Sequence, residues 1–264
     1  MDITYSEYYA EGASARYDSL RLDRDEEIGI TAAVISPLLS ANSRVLEIGC
    51  GTGRYGGAFR KLRHTVTGLD VSFSQLVHAR QKVSSLICAG AAKIPTYDAS
   101  FDACLAVLML HQLSPENRIP VFAEVRRILR SGGVFGIKTC SHDDLATRWV
   151  EGYFPSAIQV NQRRYPPIEV LRDELTSAGF VIEDVVPTRT VPSVAVTDLL
   201  LAVEQRHNTT LRLIPAGEFD DGLAALKSML AGRTDVEVPQ AHTHMLCRAD
   251  KANDDIEVCE PISR

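Results

Sequence analysis

Three glycines at alternate positions, Gly49, Gly51 and Gly53, directly follow a short apolar segment at residues 45–48. The segment has the length of a buried strand, and clustered glycines after a strand predict a tight turn. Glycine lacks a Cβ atom and accepts positive φ angles, so the backbone of such a turn can approach a ligand closely. Residues 54–62 have the composition of a helix, whose first N–H groups would face the same ligand. The stretch therefore predicts a ligand-binding loop.

A carboxylate stands where a ribose would require one. Asp70 ends a second predicted strand, residues 64–70, and a carboxylate at the end of a strand can accept both hydroxyls of a ribose. The glycine spacing is G-x-G-x-G, with Glu47 just ahead of it, whereas the dinucleotide fingerprint is G-x-G-x-x-G. We therefore expect a nucleoside cofactor, and the spacing disfavours the alternative of a nicotinamide-dependent oxidoreductase.

Later segments extend the pattern. Phe101-Asp102-Ala103, His111-Gln112-Leu113 and residues 124–133, which end in two glycines, follow in order. Together with the glycine loop and Asp70, they resemble the successive motifs of class I S-adenosylmethionine-dependent methyltransferases over about residues 44–140. The resemblance implies an α/β, Rossmann-like fold with a mostly parallel seven-stranded sheet flanked by helices, an N-terminal lid and inserted cap segments. It also implies S-adenosyl-L-methionine as the cofactor.

The resemblance implies a set of cofactor-binding residues. Ala91 stands where a carboxylate often accepts the adenine amino group in this family, so backbone groups of Ala91 and Ala92 are expected to serve instead. Tyr17 is expected to close over the methionine end. The complete set is Tyr17, Glu47, Gly49, Cys50, Gly51, Gly53, Asp70, Val71, Gln75, Ala91, Ala92 and Leu108.

Methyl transfer is an in-line displacement, so the protein mainly orients the reactants and excludes water. A base is needed only when the acceptor must lose a proton. His111 is the candidate base, because it follows a predicted buried strand and imidazole titrates near neutral pH. A packing role for this ring is the alternative. Tyr9 and Tyr165 are weaker candidates for orienting the substrate.

Residues 141–167 interrupt the alternation of strands and helices with aromatic and basic residues. Arginine matches a carboxylate or phosphate in a bidentate manner, although a solvated arginine pair is the alternative. No metal is expected, because His242 and His244 have no third ligand nearby in sequence. The predicted substrate-binding residues are Trp149, Tyr153, Phe154, Arg163 and Arg164.

The remaining elements follow from periodicity and breakers. A long insertion before the last strand is expected to cover the substrate. Further predicted strands are 85–88, 101–109, 134–138, 180–186 and 242–248, and further helices are 25–40, 115–129, 168–178, 196–205 and 218–230. The predicted organisation is lid helices at 1–40, a cofactor-binding core at 41–140, the rest of the sheet with cap insertions (about 141–167 and 187–240) at 141–249, and a flexible tail at 250–264.

Composition excludes some classes of protein. The 264 residues are 45% hydrophobic and 23% charged with a net charge of −6, which is typical of a soluble globular protein and disfavours nucleic acid as substrate. Six scattered cysteines, no leader and no membrane-length segment favour a cytoplasmic location. We expect a monomer or homodimer that does not bind a membrane. We expect methylation of a small organic acceptor at carbon, nitrogen or oxygen in an enclosed pocket, as in specialised metabolism; the alternative outside catalysis is a cofactor-binding regulator or scaffold.

Overall fold

The computed structural model describes Asp18 and residues 25–250. The predicted site residues Tyr9 and Tyr17 lie outside the described residues, as do most of the predicted lid and the tail after residue 250. In the described part of the chain, no helix combines the length and the apolar character needed to cross a membrane.

A twisted sheet forms the centre of residues 25–250. Its strands are β1 (Arg44–Ile48), β2 (Thr65–Asp70), β3 (Ser85–Cys88), β4 (Phe101–Val107), β5 (Leu129–Thr139), β6 (Phe180–Thr190) and, later in the chain, β9 (Gln240–Ala249). The spatial order is β3-β2-β1-β4-β5-β9-β6. Among these described strands, only β9 runs in the direction opposite to the other six. The predicted mostly parallel seven-stranded sheet is confirmed. A separate ribbon pairs β7 (Ser193–Ala195) with β8 (Asp235–Glu237).

Helices cover the sheet and build the cap. They are α1 (Asp25–Ile35), α2 (Arg54–Lys61), α3 (Phe73–Ala79), α4 (Pro115–Ile128), α5 (His142–Ala146), α6 (Pro155–Arg164), α7 (Ile168–Ser177), α8 (Val196–Glu204) and α9 (Ala216–Leu230). Local sequence sets several of their ends. The Ser72 hydroxyl caps α3 by accepting from the Gln75 amide, and Ser141 and Asp144 form a capping box at α5. Gly179, at φ +83°, follows α7.

Three predicted boundaries were wrong. Helix α1 ends at Ile35 and gives way to a 3-10 turn that contains Pro37, since proline cannot continue the α-helical hydrogen bonds. Strand β4 ends at Val107, because Leu108 adopts a φ of +49° that no regular strand permits. The strand predicted at 134–138 begins earlier, because β5 starts at Leu129 and accommodates Gly132 and Gly133 through a shift of register with β4.

Two apolar layers pack on the two faces of the sheet. Phe122 of α4 and Leu171 of α7 belong to one layer, and Ile35 of α1 and Phe59 of α2 belong to the other. Strand β4 contributes to both layers, as its nearly continuous apolar sequence predicts for a central parallel strand.

The cap has an apolar core of its own. Phe154, at the start of α6, stacks on Phe219 of α9 with ring centroids 5.7 Å apart. A Cβ atom at Gly222 would lie 2.3 Å from the Tyr153 carbonyl oxygen, so α9 approaches this segment more closely than any other residue would allow. The two segments predicted as separate insertions therefore pack together as one cap.

Candidate functional site

The glycine loop after β1 has the backbone that its sequence predicts. Gly49, Gly51 and Gly53 adopt φ angles of +64°, +52° and +74°. A Cβ atom at Gly49 would lie 2.9 Å from Met109 Cβ, and one at Gly53 would lie 3.0 Å from Ala79 Cβ. The loop is therefore wedged between α3 and the end of β4, and its backbone lines the cavity described below.

Asp70 joins the end of β2 to this loop. Its carboxylate is buried; Oδ2 accepts from the Gly51 N–H at 2.8 Å, and Oδ1 accepts from the Ser72 N–H at 2.8 Å. Burial raises the pKa of Asp70, and the backbone N–H groups oppose that rise. These bonds fix the carboxylate at the end of β2, directly beside the glycine loop.

Glu47 lies beneath the loop. Its Oε2 accepts from the Gly56 N–H at 2.8 Å, which fixes the first turn of α2 against β1. Complete burial, with the nearby Asp70 charge, raises the pKa of Glu47 to about 8. The carboxyl group is consequently mostly protonated at neutral pH, unless a cation approaches it.

Gln75 of α3 indicates a site for a polar ligand. Its side chain is 1% exposed, and neither amide atom has a hydrogen-bond partner among the described residues. A buried, unsatisfied amide is costly, by about 1–3 kcal/mol. Its Oε1 would lie 3.7 Å from a Cβ at Gly51, beside the cavity wall. A polar ligand in the loop would satisfy it.

A cavity of about 270 Å³ opens at the carboxyl ends of the parallel strands. This is the edge at which open α/β sheets bind ligands. Its floor comes from the glycine loop and from residues 107–112, and its roof comes from the cap and from residues 238–242. The sequence-predicted residues in its wall are Glu47, Gly49, Cys50, Gly51, Gln75, Leu108, His111, Trp149 and Tyr165.

His111, the predicted base, lies in a ring stack. Its imidazole is parallel to the Tyr165 ring, with centroids 4.3 Å apart and an interplanar angle of 15°. Its Nε2 lies 2.8 Å from Gln112 Nε2. Burial raises the pKa of Tyr165 to about 12, so this phenol stays neutral. The structure therefore brings the two predicted residues together as one aromatic wall.

The other predicted residues are not in the cavity wall. Phe154 is fully buried in the cap core, and Arg163 is exposed, because the helical period of α6 turns Ala157 and Asn161 inward instead. Arg164 donates to Gln112 Oε1 at 2.8 Å and supports the wall from behind. The complete set outside the wall is Gly53, Asp70, Val71, Ala91, Ala92, Tyr153, Phe154, Arg163 and Arg164.

Sequence reasoning missed a buried polar cluster in the roof. Arg148 Nη1 lies 3.2 Å from Glu151 Oε1, and its Nη2 lies 3.0 Å from Cys140 Sγ. Asn208 Nδ2 donates to the same Glu151 oxygen at 3.1 Å. The only available signal was charge in an otherwise aromatic stretch, and this pattern is also typical of a solvated surface.

His242 is a second missed cavity residue. It lies in the wall and is 3% exposed. Its Nδ1 is 3.1 Å from Glu27 Oε2, on α1. In the described part of the chain, no group of three histidine, cysteine, aspartate or glutamate side chains could hold a metal ion.

Comparisons with known proteins agree on the type of domain. Residues 46–137 match the family model described as a methyltransferase domain. Methyltransferase GfsG of Streptomyces halstedii is 36% identical over 129 residues, which are 44% of this chain and 45% of that protein. The malonyl-[acyl-carrier protein] O-methyltransferase of Erwinia pyrifoliae is 35% identical over 105 residues, 39% of each chain. The chain thus spans less than half the length of these two relatives.

Solved structures share the fold. A putative methyltransferase from an antibiotic biosynthesis pathway of Anabaena variabilis superposes with a TM-score of 0.63 at 16% identity, covering 86% of this chain and 98% of that one. At that identity the match concerns the fold, and it extends well beyond the glycine loop into the cap and the last strands.

Proposed function

We propose that this chain, whose residues 46–137 match a methyltransferase domain, transfers a methyl group from S-adenosyl-L-methionine to a small organic acceptor held under the cap. The observation that supports this proposal best is Gln75, a buried amide without a partner among the described residues, in the wall of a cavity that continues from the glycine loop into the cap. A ligand in the loop and an acceptor under the roof would then share one enclosed space.

The chain's residues fit the cofactor. Asp70 would accept from the ribose hydroxyls, since both of its oxygens are fixed by backbone N–H groups. Glu47 and the loop would face the cationic methionine end, and Gln75 would gain the partner that it lacks. The bound cofactor supplies a methyl group already activated as a sulfonium. The protein must then position the acceptor and exclude water.

The edge of the adenine site would use backbone groups. Val71 is half exposed, directly after the end of β2, and Ala91 and Ala92 follow β3, the next strand of the sheet. Peptide N–H and C=O groups can read adenine without a carboxylate at position 91. We propose that these three positions flank the base.

The acceptor would occupy the roof side of the cavity. Trp149, Leu199 and Leu211 provide an apolar surface there, while Gln112 and Asn208 provide polar groups. Small-molecule sites typically combine an apolar lining with a few placed polar groups. This composition favours a mainly apolar organic acceptor with one or two polar substituents.

Calorimetric titration with S-adenosylmethionine, S-adenosylhomocysteine and NAD tests the cofactor. We expect both sulfur compounds to bind and NAD not to bind. Mass spectrometry of S-adenosylhomocysteine formed with a panel of mainly apolar acceptors that carry one or two polar substituents then tests transfer. Binding of NAD alone would replace the proposal with an oxidoreductase, and binding without transfer to any acceptor would favour a regulator or scaffold.

A further inference from the structure

A buried charged cluster joins the cavity wall to α1. Lys138 Nζ, at the end of β5, lies 2.8 Å from Glu27 Oε2 and 3.2 Å from Tyr55 Oη. The Thr190 hydroxyl donates to the other Glu27 oxygen, Oε1. His242 Nδ1 is 3.1 Å from Oε2. The side chains of Lys138, Glu27 and His242 are at most 4% exposed.

Topology brings His242 to the ligand edge. Strand β9 is antiparallel to β5, so its first residues lie beside the last residues of β5; Thr243 pairs with Thr139. The amino end of β9 therefore shares an edge with the carboxyl ends of the parallel strands, where the glycine loop lies. His242 is part of the cavity wall for this reason.

Glu27 is suited to orient the imidazole. Its pKa is lowered to about 2, because its partners His242 and Lys138 outweigh the effect of burial, so the carboxylate stays anionic. A carboxylate beside Nδ1 favours the tautomer in which Nδ1 carries the proton and Nε2 keeps its lone pair. His242 Nδ1 and Glu27 Oε2 lie within ion-pair distance, but they are not aligned as a hydrogen bond. Hydrogen bonds of catalytic groups are often poorly aligned before the substrate complex forms.

Surrounding charges keep this imidazole neutral. Burial, Lys138 on β5 and Arg148 in the roof lower the pKa of His242, while Glu27 on α1 raises it, and the net direction is down. His244, two residues further on, also faces this cluster. His242 is therefore neutral at neutral pH, which is the form that proton removal requires.

His244 provides the contrast. It is also fully buried, but its Nε2 lies 3.2 Å from Thr31 Oγ1, its Nδ1 lies 3.4 Å from Thr188 Oγ1, and it is not in the cavity wall. Of the two histidines on this face of β9, one is enclosed by structural partners and the other borders the cavity.

We propose that His242, oriented by Glu27, is the general base of the reaction and that the acceptor is a hydroxyl compound such as a phenol or enol. This inference rests on the proposed function. The acceptor oxygen gains the methyl group and loses its proton to Nε2 of His242, while the sulfonium sulfur keeps the electron pair of the broken carbon–sulfur bond. A carboxylic acid is already ionised at neutral pH and would need no base.

The tautomer can be measured without an acceptor. In long-range nitrogen–proton spectra of protein labelled with 15N-histidine and saturated with S-adenosylhomocysteine, the His242→Gln variant assigns the signal. We expect a neutral His242 between pH 6.5 and 8, with the proton on Nδ1. In Glu27→Gln the pKa of His242 should fall further, because the anion that favours imidazolium is lost. A proton on Nε2 in the wild-type protein would overturn the proposal.

Turnover supplies the second test, with a panel of phenols, enols, amines and carboxylic acids. His242→Gln should lower kcat for hydroxyl compounds by about 100-fold or more, which is the usual contribution of a general base. Affinity for S-adenosylhomocysteine should be unchanged, and alkaline pH should restore part of the rate, because the hydroxyl then ionises by itself. His244→Gln should be less stable but should keep the wild-type kcat.

The outcomes separate this inference from the proposed function. If the wild-type protein did not bind S-adenosylhomocysteine, the proposed function itself would be refuted. Binding together with turnover confined to carboxylic acids or amines, or with full activity of His242→Gln, would refute only the role of His242.

Discussion

Asp70 fixes the glycine loop to the end of β2 through two backbone hydrogen bonds, and its substitution tests the proposed cofactor assignment at the scale of one residue. Asp70→Ala removes both of these bonds and the acceptors for a ribose. Bonds to charged groups contribute about 1.5–3 kcal/mol each, so we expect S-adenosylmethionine affinity to fall by about 100-fold or more. Calorimetry measures this. Asp184→Ala, an exposed change on β6, should bind normally.

Glu47 predicts a pH dependence of binding. Its pKa of about 8 means that the free protein carries a proton there at pH 7. A cationic ligand favours the ionised form, so binding should release a proton, and affinity should rise by up to about tenfold per pH unit from pH 6 to 8. Titration in buffers of different ionisation enthalpy counts the protons. Glu47→Gln should remove this component; an identical pH profile in both proteins would contradict the prediction.

At the scale of elements, the close contact between α9 and the segment before α6 holds the two parts of the cap together. Gly222→Ala places a Cβ atom 2.3 Å from the Tyr153 carbonyl oxygen, whereas Gly217, on the same helix, has no atom within 4 Å of its Cβ position. Overpacking of this kind costs about 1–3 kcal/mol. Gly222→Ala should lower the melting temperature and raise KM for the acceptor, with cofactor affinity retained. Gly217→Ala, the matched control, should do neither.

At the scale of the whole molecule, the buried titratable side chains of His244 and Glu47 make the free energy of unfolding depend on pH. His244 is neutral in the folded protein, with its pKa lowered from 6.5 to about 4, so folded molecules bind fewer protons than unfolded ones in that window. Stability should therefore fall as pH drops from 6.5 to 4, by up to about 3 kcal/mol from this residue. Glu47 acts in the opposite direction, since its pKa is raised.

Urea unfolding between pH 4 and 8 measures the contribution of His244 to stability separately from that of Glu47. The difference in free energy of unfolding between the wild-type protein and His244→Gln should shrink towards pH 4, because the wild-type protein progressively loses its advantage there. A difference that stays constant over the whole range would mean that His244 already titrates normally in the folded protein.

The local sequence determined the cofactor half of the molecule. The three glycines need positive φ angles, Asp70 ends a strand that lies beside them, and the apolar segment after residue 100 can only be a buried central strand. The glycine turn and the apolar segment depend on neighbours within a few positions in the chain, so composition and spacing are sufficient to predict them; the parallel pairing that places Asp70 beside the loop is a tertiary contact.

Tertiary structure alone decided the cap side of the cavity, which we propose binds the acceptor. The cap core joins Phe154 to Phe219, and the cavity edge joins Glu27 to His242; these partners are far apart in the chain and share no spacing pattern. A buried charge and a solvated one have the same sequence signature, because the difference between them is the surrounding packing. Arg148 and His242 were therefore visible as residue types, and only the fold determined that both line the cavity and that Lys138 and His242 share the Glu27 carboxylate.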